Sequence, residues 1–223
     1  MDYVNVTMPN TDENFVEGQP HYELYKVMYD TVNKGLVEKD PTTTDWESSK
    51  AMMAKGEIAT MVLGSWAIGQ IAALAENPDD IGYMAFPTNA EEVIFPLAAD
   101  YNLAINVNSE NKKAARAWLD FFVFESGYPT EEAFGLNPDK SAPLPEALKA
   151  FEGKAEFLPQ TPAKEGQEGL VDKIDKEAEI GLWAGNFQKR IVEAALGNRD
   201  ESYDDIMADL NKKWTDARAK VAK

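Results

Sequence analysis

The side chains best able to do chemistry in this chain are aromatic and acidic. Trp66 follows Gly64-Ser65, where the apolar run Ile58 to Leu63 gives way to a helix-like stretch. That end of a strand opens onto the cleft in an α/β layer. The other reading of Trp66 is a core indole packed under the helix. Asp100 and Tyr101 follow Pro96-Leu97-Ala98-Ala99 and precede a strand-like run. They read either as a carboxylate and a ring on a scaffolded loop, or as a hinge turn with a solvated Asp. Trp183 stands in Gly181-Leu182-Trp183-Ala184-Gly185 ahead of a helix, as a platform or as packing. Flat rings with a few polar side chains suit a ligand that has apolar C–H faces and a rim of hydroxyls. Trp46, Trp118 and Trp214 lie on amphipathic helical stripes and read as core.

Other chemistries are poorly supplied. The chain has no cysteine and a single histidine, His21. It therefore has no disulfide framework, no thiol nucleophile and no thiolate metal site. His21, beside Pro20, reads as a surface or capping residue. Asp79-Asp80 and Asp204-Asp205 read as a turn and a helix start, without the alternating oxygen spacing of a calcium loop. There is no P-loop, no dinucleotide fingerprint and no Gly-x-Ser-x-Gly elbow, and we expect no cofactor. Carboxylates are too numerous for a glycosidase pair to be argued from sequence.

Thirty-nine Asp and Glu against twenty-two Lys and Arg leave a formal charge of −17 over 223 residues. That balance opposes nucleic-acid binding and docking on anionic membranes. The first residues lack the basic and apolar regions of a signal peptide. Ile58 to Ala75 is too short and too interrupted to read as a membrane span.

The elements that must position these residues follow from periodicity. Leu24, Met28, Val32 and Leu36 predict a helix over 21–36 after an irregular segment of about twenty residues. Helices are also predicted over 45–55, 66–75 and 112–124, the last burying Ala115, Trp118, Leu119 and Phe122. Strands are predicted over 58–63, 81–86 and 101–107, with a short apolar run at 93–97. Residues 126–169 are rich in Gly and Pro and predict short helices between turns, such as 130–134 and 146–151. Helices over 170–182 and 187–196 follow, the second stopped by Gly197. Ser202 with Asp205 predicts a capping box that opens a last helix carrying Ile206, Leu210, Trp214, Ala217 and Val221 on one stripe. The strand–helix–strand order predicts an α/β fold.

Three features then come in a fixed order. Lys50 to Met61 is followed at once by Gly64-Ser65-Trp66. Asp80-Ile81-Gly82-Tyr83-Met84-Ala85-Phe86-Pro87 comes next. Ala104-Ile105-Asn106 then leads through Ser109 to the helix around Trp118-Leu119-Asp120-Phe121-Phe122. Trp183 ahead of Arg190 to Gly197 closes the pattern. This resembles the extracellular solute-binding proteins of family 1, the maltose-binding-protein-like carbohydrate receptors of ABC importers. The resemblance covers nearly the whole chain but only about half of the family.

The resemblance implies a helix-rich C-terminal lobe of a type II periplasmic-binding-protein fold, with most of the N-terminal lobe absent. Residues 1–97 would be the first part of the second lobe. Residues 98–126 would return to the N-terminal lobe as a strand and a helix, and 127–223 would complete the second lobe. The strand near Leu103 would lack its usual neighbours, which implies pairing with the missing lobe or a second copy of the chain. Trp66 would stack on sugar, with Asp100, Tyr101 and Trp183 also in the cleft. The expected role is non-enzymatic binding of a sugar or oligosaccharide, weak in the isolated half. An ABC permease would read the closed form of the intact parent. The parent would lie outside the cytoplasmic membrane as an anchored lipoprotein. A glycan-processing enzyme and an interaction module without a small ligand are the alternatives.

Overall fold

The structure, a computed structural model, describes residues 2–38, 40–87, 91–98, 102–132 and 134–221. Its contacts divide it into two units, Met1–Thr44 with Gln160–Lys223, and Asp45–Pro159. In chain order the helices are α1 (Pro20–Asn33), α2 (Trp46–Ala54), α3 (Ala67–Ala72), α4 (Lys112–Phe124), α5 (Leu170–Ala178), α6 (Asn186–Ala195) and α7 (Tyr203–Val221). The strands are β1 (Ile94–Leu97) and β2 (Glu156–Pro159).

The first unit is built on α7. Ile206, Leu210, Trp214 and Ala217 recur on one face and are buried against α5. The predicted cap is present: Asp205 N donates to Ser202 Oγ at 3.1 Å, and Ser202 N donates to Asp205 Oδ2 at 3.2 Å. Arg190 of α6 reaches Glu201 and Asp209, each at 2.6 Å. Arg190 and Arg199 hold the Glu201 carboxyl down to about 2.

The N-terminal segment, expected to be irregular, instead carries a π-helical turn at Tyr3–Thr7 and a 3-10 turn at Met8–Asn10, and Met8, Asn14 and Phe15 are fully buried in this core. Buried Asn14 donates to Met8 O at 2.9 Å and accepts from the Tyr3 hydroxyl at 3.2 Å. Phe15 N donates to Asn211 Oδ1 at 3.1 Å, and Trp214 Nε1 donates to Thr11 O at 3.1 Å. The segment is therefore fastened to α7 at several points.

Two readings change in α1. The predicted stripe is buried only in its middle: Val32 is 6% exposed and Met28 packs on the core, but Leu24 is 61% exposed and Leu36 lies beyond the helix end. Tyr22, Tyr25 and Tyr29, at helical spacing, also pack on the core. His21 is not a surface or capping residue. Its ring is half-buried among Tyr3, Phe15 and Tyr25, with centroids at 5.3, 5.0 and 6.0 Å. The capping position belongs to Gln19.

The second unit is less deeply packed. Its sheet, among the described residues, is the parallel pair β1–β2, running from Ile94 opposite Glu156 to Leu97 opposite Pro159. Phe95 stacks on Phe157 at 5.4 Å and meets Phe151 edge-on at 4.8 Å. The predicted strands 58–63 and 81–86 have no ladder partners among the described residues, and neither does 102–107. Apolar sequence becomes strand only where a neighbour completes the ladder. Val62, Met84, Phe86 and Val107 are accordingly exposed. Helix α4 forms over its predicted span, but it leaves Trp118 57% exposed, with Phe121 and Phe124 also exposed. Trp118 is thus not core. Trp214 is, as predicted.

Candidate functional site

The predicted site residues fall in both units. Trp183 belongs to the first, in the loop between α5 and α6. Ile180 and Leu182 are buried and anchor that loop, while Trp183 between Leu182 and Ala184 is 68% exposed. Gly181 and Gly185 have φ of 74° and 75°, which L side chains rarely adopt. Two carboxylates one helical turn apart on α5 hold the loop. Asp175 Oδ1 accepts from Gly181 N at 2.9 Å and from Leu182 N at 3.1 Å. Asp172 Oδ1 accepts from Trp183 Nε1 at 3.0 Å. Trp183 borders a cleft of about 190 Å³ with Asn5, Gln167, Val171 and Asp172. That is below the ~300–1,000 Å³ of complete small-molecule pockets. Asn5 donates to Thr161 O at 2.7 Å, and Gln167 exchanges amide hydrogen bonds with Asn10.

Trp66 belongs to the second unit, at the N-terminal boundary of α3, and is 37% exposed. Its indole folds back over Gly64, where an added Cβ would come within 2.5 Å of Nε1. Its other neighbour was not foreseen: Trp46 lies 5.9 Å away between ring centroids, tilted 52° and 43% exposed. Trp46 is therefore not core. The sequence signal for this was its place in the first turn of α2, directly after the capping Asp45. Lys50, one turn on, places Nζ 5.4 Å from the Trp46 centroid. That nitrogen also pairs with Glu47 at 2.8 Å and with Gln70 Oε1 at 2.9 Å.

The Gly64 contact gives a prediction. Gly64→Ala forces the Trp66 ring to move, so the Trp66 indole N–H resonance, assigned through Trp66→Phe, should shift while far-UV circular dichroism stays unchanged. An unmoved resonance would show that the ring does not depend on Gly64.

Asp100 and Tyr101 lie outside the described residues. A larger cavity of about 380 Å³ in the second unit is lined by Thr130, Glu131, Phe134, Asn137, Leu144 and Glu146 among others. No predicted site residue lines it. Among the described residues, no three His, Asp or Glu side chains cluster as metal ligands. None of the described helices is long and apolar enough to cross a membrane.

Both predicted site tryptophans within the described residues, Trp183 in the first unit and Trp66 in the second, thus present exposed ring surface, the first fixed by a carboxylate. Solved structures resemble this chain in fold. One is a manno-oligosaccharide-specific solute-binding protein from Bifidobacterium animalis subsp. lactis, in complex with mannotriose. It is 34% identical, with a TM-score of 0.86 over 98% of this chain and 53% of that one. Another is the binding protein of an ABC transporter from the same organism, in complex with mannobiose. It is 36% identical, with the same TM-score and coverage. This chain spans about half the length of either, and its helix-rich α/β architecture is a part of their fold. The comparison with curated proteins returns no match. The family description that matches residues 6–128, more than half of the chain, is that of the bacterial extracellular solute-binding proteins, and the chain belongs to that family.

Proposed function

We propose that this chain supplies part of an oligosaccharide site in the solute receptor of an ABC importer, and that its ligands are manno-oligosaccharides. The observation that carries the reading is Trp183: a ring with 68% exposure held at the rim of a cleft. In a soluble protein, such a ring is most readily explained as a platform for a ligand face. The ligand class comes from the relatives solved with mannobiose and mannotriose. Within the second unit, Trp66 with Trp46 beside it offers a platform of its own. Asp100 and Tyr101 complete the polar complement in this reading.

The lobe assignment is part of the same proposal: 1–97 and 127–223 in one lobe, 98–126 in the other. The exposed Trp118, Phe121 and Phe124 of α4 then face the half of the relatives' length that this chain does not span, or a second copy of the chain. The receptor works outside the cytoplasmic membrane, anchored as a lipoprotein, and hands its ligand to a membrane permease without chemistry.

The test is titration of the chain with mannotriose and, as control, maltotriose, followed by calorimetry and indole resonances. We expect weak binding, with Kd near or above about 1 mM, because a partial site forgoes many contacts. Trp183→Ala and Trp66→Ala should each weaken it by about 5- to 10-fold, the worth of a ring-face contact. Mannotriose binding that ignores both substitutions would overturn the site. Micromolar binding by this chain would overturn the partial-site reading.

A further inference from the structure

We infer that Asp172 is a positioning residue for the ligand: it fixes the Trp183 indole so that the site reads a sugar through the ring face alone. This rests on the proposed role of Trp183 and adds how that role is performed. An exposed indole on a loop can rotate, and ordering it on binding opposes affinity. Here the ordering is already done in the free protein. The Nε1–H, the one hydrogen-bond donor of the side chain, is taken by Asp172 Oδ1 at 3.0 Å. A carboxylate acceptor makes this bond stronger than a neutral one.

The backbone beneath is fixed by a second carboxylate. Asp175, three residues along α5 and so on the same face, accepts from Gly181 N and Leu182 N. Buried Ile180 and Leu182 seat the loop. Ring and backbone are thus both tied to α5, and α5 is buried against α7 through Val171, Ile174 and Ala178. With its N–H occupied, Trp183 offers the ligand only its π-face. Selection at this point follows the apolar C–H surface of a pyranose and not the direction of one hydroxyl. A sugar whose recognition required a hydrogen bond from Nε1 would have to displace Asp172 first.

The test compares Asp172→Leu, which removes the acceptor, with Asp172→Asn, which keeps an acceptor oxygen. The Trp183 indole resonance is assigned through Trp183→Phe, and mannotriose is the probe. In Asp172→Leu the indole N–H should move upfield and exchange faster, and mannotriose affinity should fall by about 3- to 5-fold as ring ordering is shifted onto binding. Asp172→Asn should stay within about 2-fold of the parent, since it can preserve the hydrogen bond. An Asp172→Leu protein that frees the indole and binds mannotriose as before would overturn the proposal. Equal losses in the Leu and Asn variants would also overturn it, because the charge and not the hydrogen bond would then matter. If Trp183→Ala leaves affinity unchanged, the ligand role of Trp183 fails, and the positioning role falls with it. If Trp183→Ala weakens binding and Asp172→Leu does not, only the positioning role fails.

Discussion

Trp214→Ala should destabilise the first unit by about 4 kcal/mol, the range for emptying a fully buried aromatic site. The indole is enclosed on the core face of α7, and its Nε1 donates to Thr11 O at 3.1 Å. Truncation therefore opens a cavity and removes a tie to the N-terminal segment at the same time. Loss of the donor adds to the cavity effect, because Thr11 O must then find water. With a urea dependence of about 2 kcal/mol per molar, the midpoint should fall by about 2 M. Trp118→Ala is the matched comparison, the same substitution at an exposed ring, and should change stability by less than about 1 kcal/mol. Circular dichroism in urea reads both without relying on tryptophan emission. Similar midpoints for the two variants would mean that Trp214 is not the keystone that its burial indicates.

That contrast also shows what the sequence could and could not disclose. Trp214 and Trp118 sit on equally regular helical stripes, and periodicity alone made both of them core. For α7 the stripe has partners in α5 and the N-terminal segment, so its apolar face is buried. For α4 the helix forms over its predicted span because its local sequence suffices, yet Trp118 remains exposed. Burial is a property of the partner surface, and sequence pattern carries no record of whether the partner is in the same chain. The strand expectations at 58–63 and 81–86 failed for the same reason, since a ladder needs two strands. Local chemistry was more legible. The Ser202–Asp205 cap and the Gly197 stop are set by neighbours within a few residues, whereas the helix predicted over 170–182 ends at Ala178 and leaves Ile180 and Leu182 in the Trp183 loop. The Asp172–Trp183 hydrogen bond was hidden because its partners are eleven residues apart and meet only when the Gly181 turn folds the loop back. Trp46 was missed because the first turn of a helix can point a stripe residue away from the core.

His21 should make the first unit lose stability between pH 6.5 and about 4. Burial among Tyr3, Phe15 and Tyr25 lowers its pKa from the ordinary 6.5 to about 4. The unfolded chain therefore takes up a proton near pH 6.5 that the folded chain refuses until about pH 4. Stability is full above 6.5, falls by at most about 1.4 kcal/mol per pH unit below it, and levels once the folded form is protonated. Allowing for the part of the ring that solvent reaches, the loss should be about 2 kcal/mol. His21→Phe keeps an aromatic ring in the box and removes the titration, so its stability should be flatter across this window. The Tyr3 hydroxyl loses its 2.9 Å partner Nδ1 in that variant but retains Asn14. Glu201 does not confuse the measurement. Its depressed carboxyl adds stability that is lost only as pH falls from about 4.5 toward 2. Urea unfolding at pH 7, 6 and 5 therefore isolates the histidine, and equal slopes in parent and His21→Phe would refute its role. The effect should reach the ligand site, because the segment that His21 packs against through Tyr3 and Phe15 also supplies Val4 and Asn5 to the Trp183 cleft. Loosening that segment in acid should weaken mannotriose binding in the parent before the core itself unfolds, and should do so less in His21→Phe.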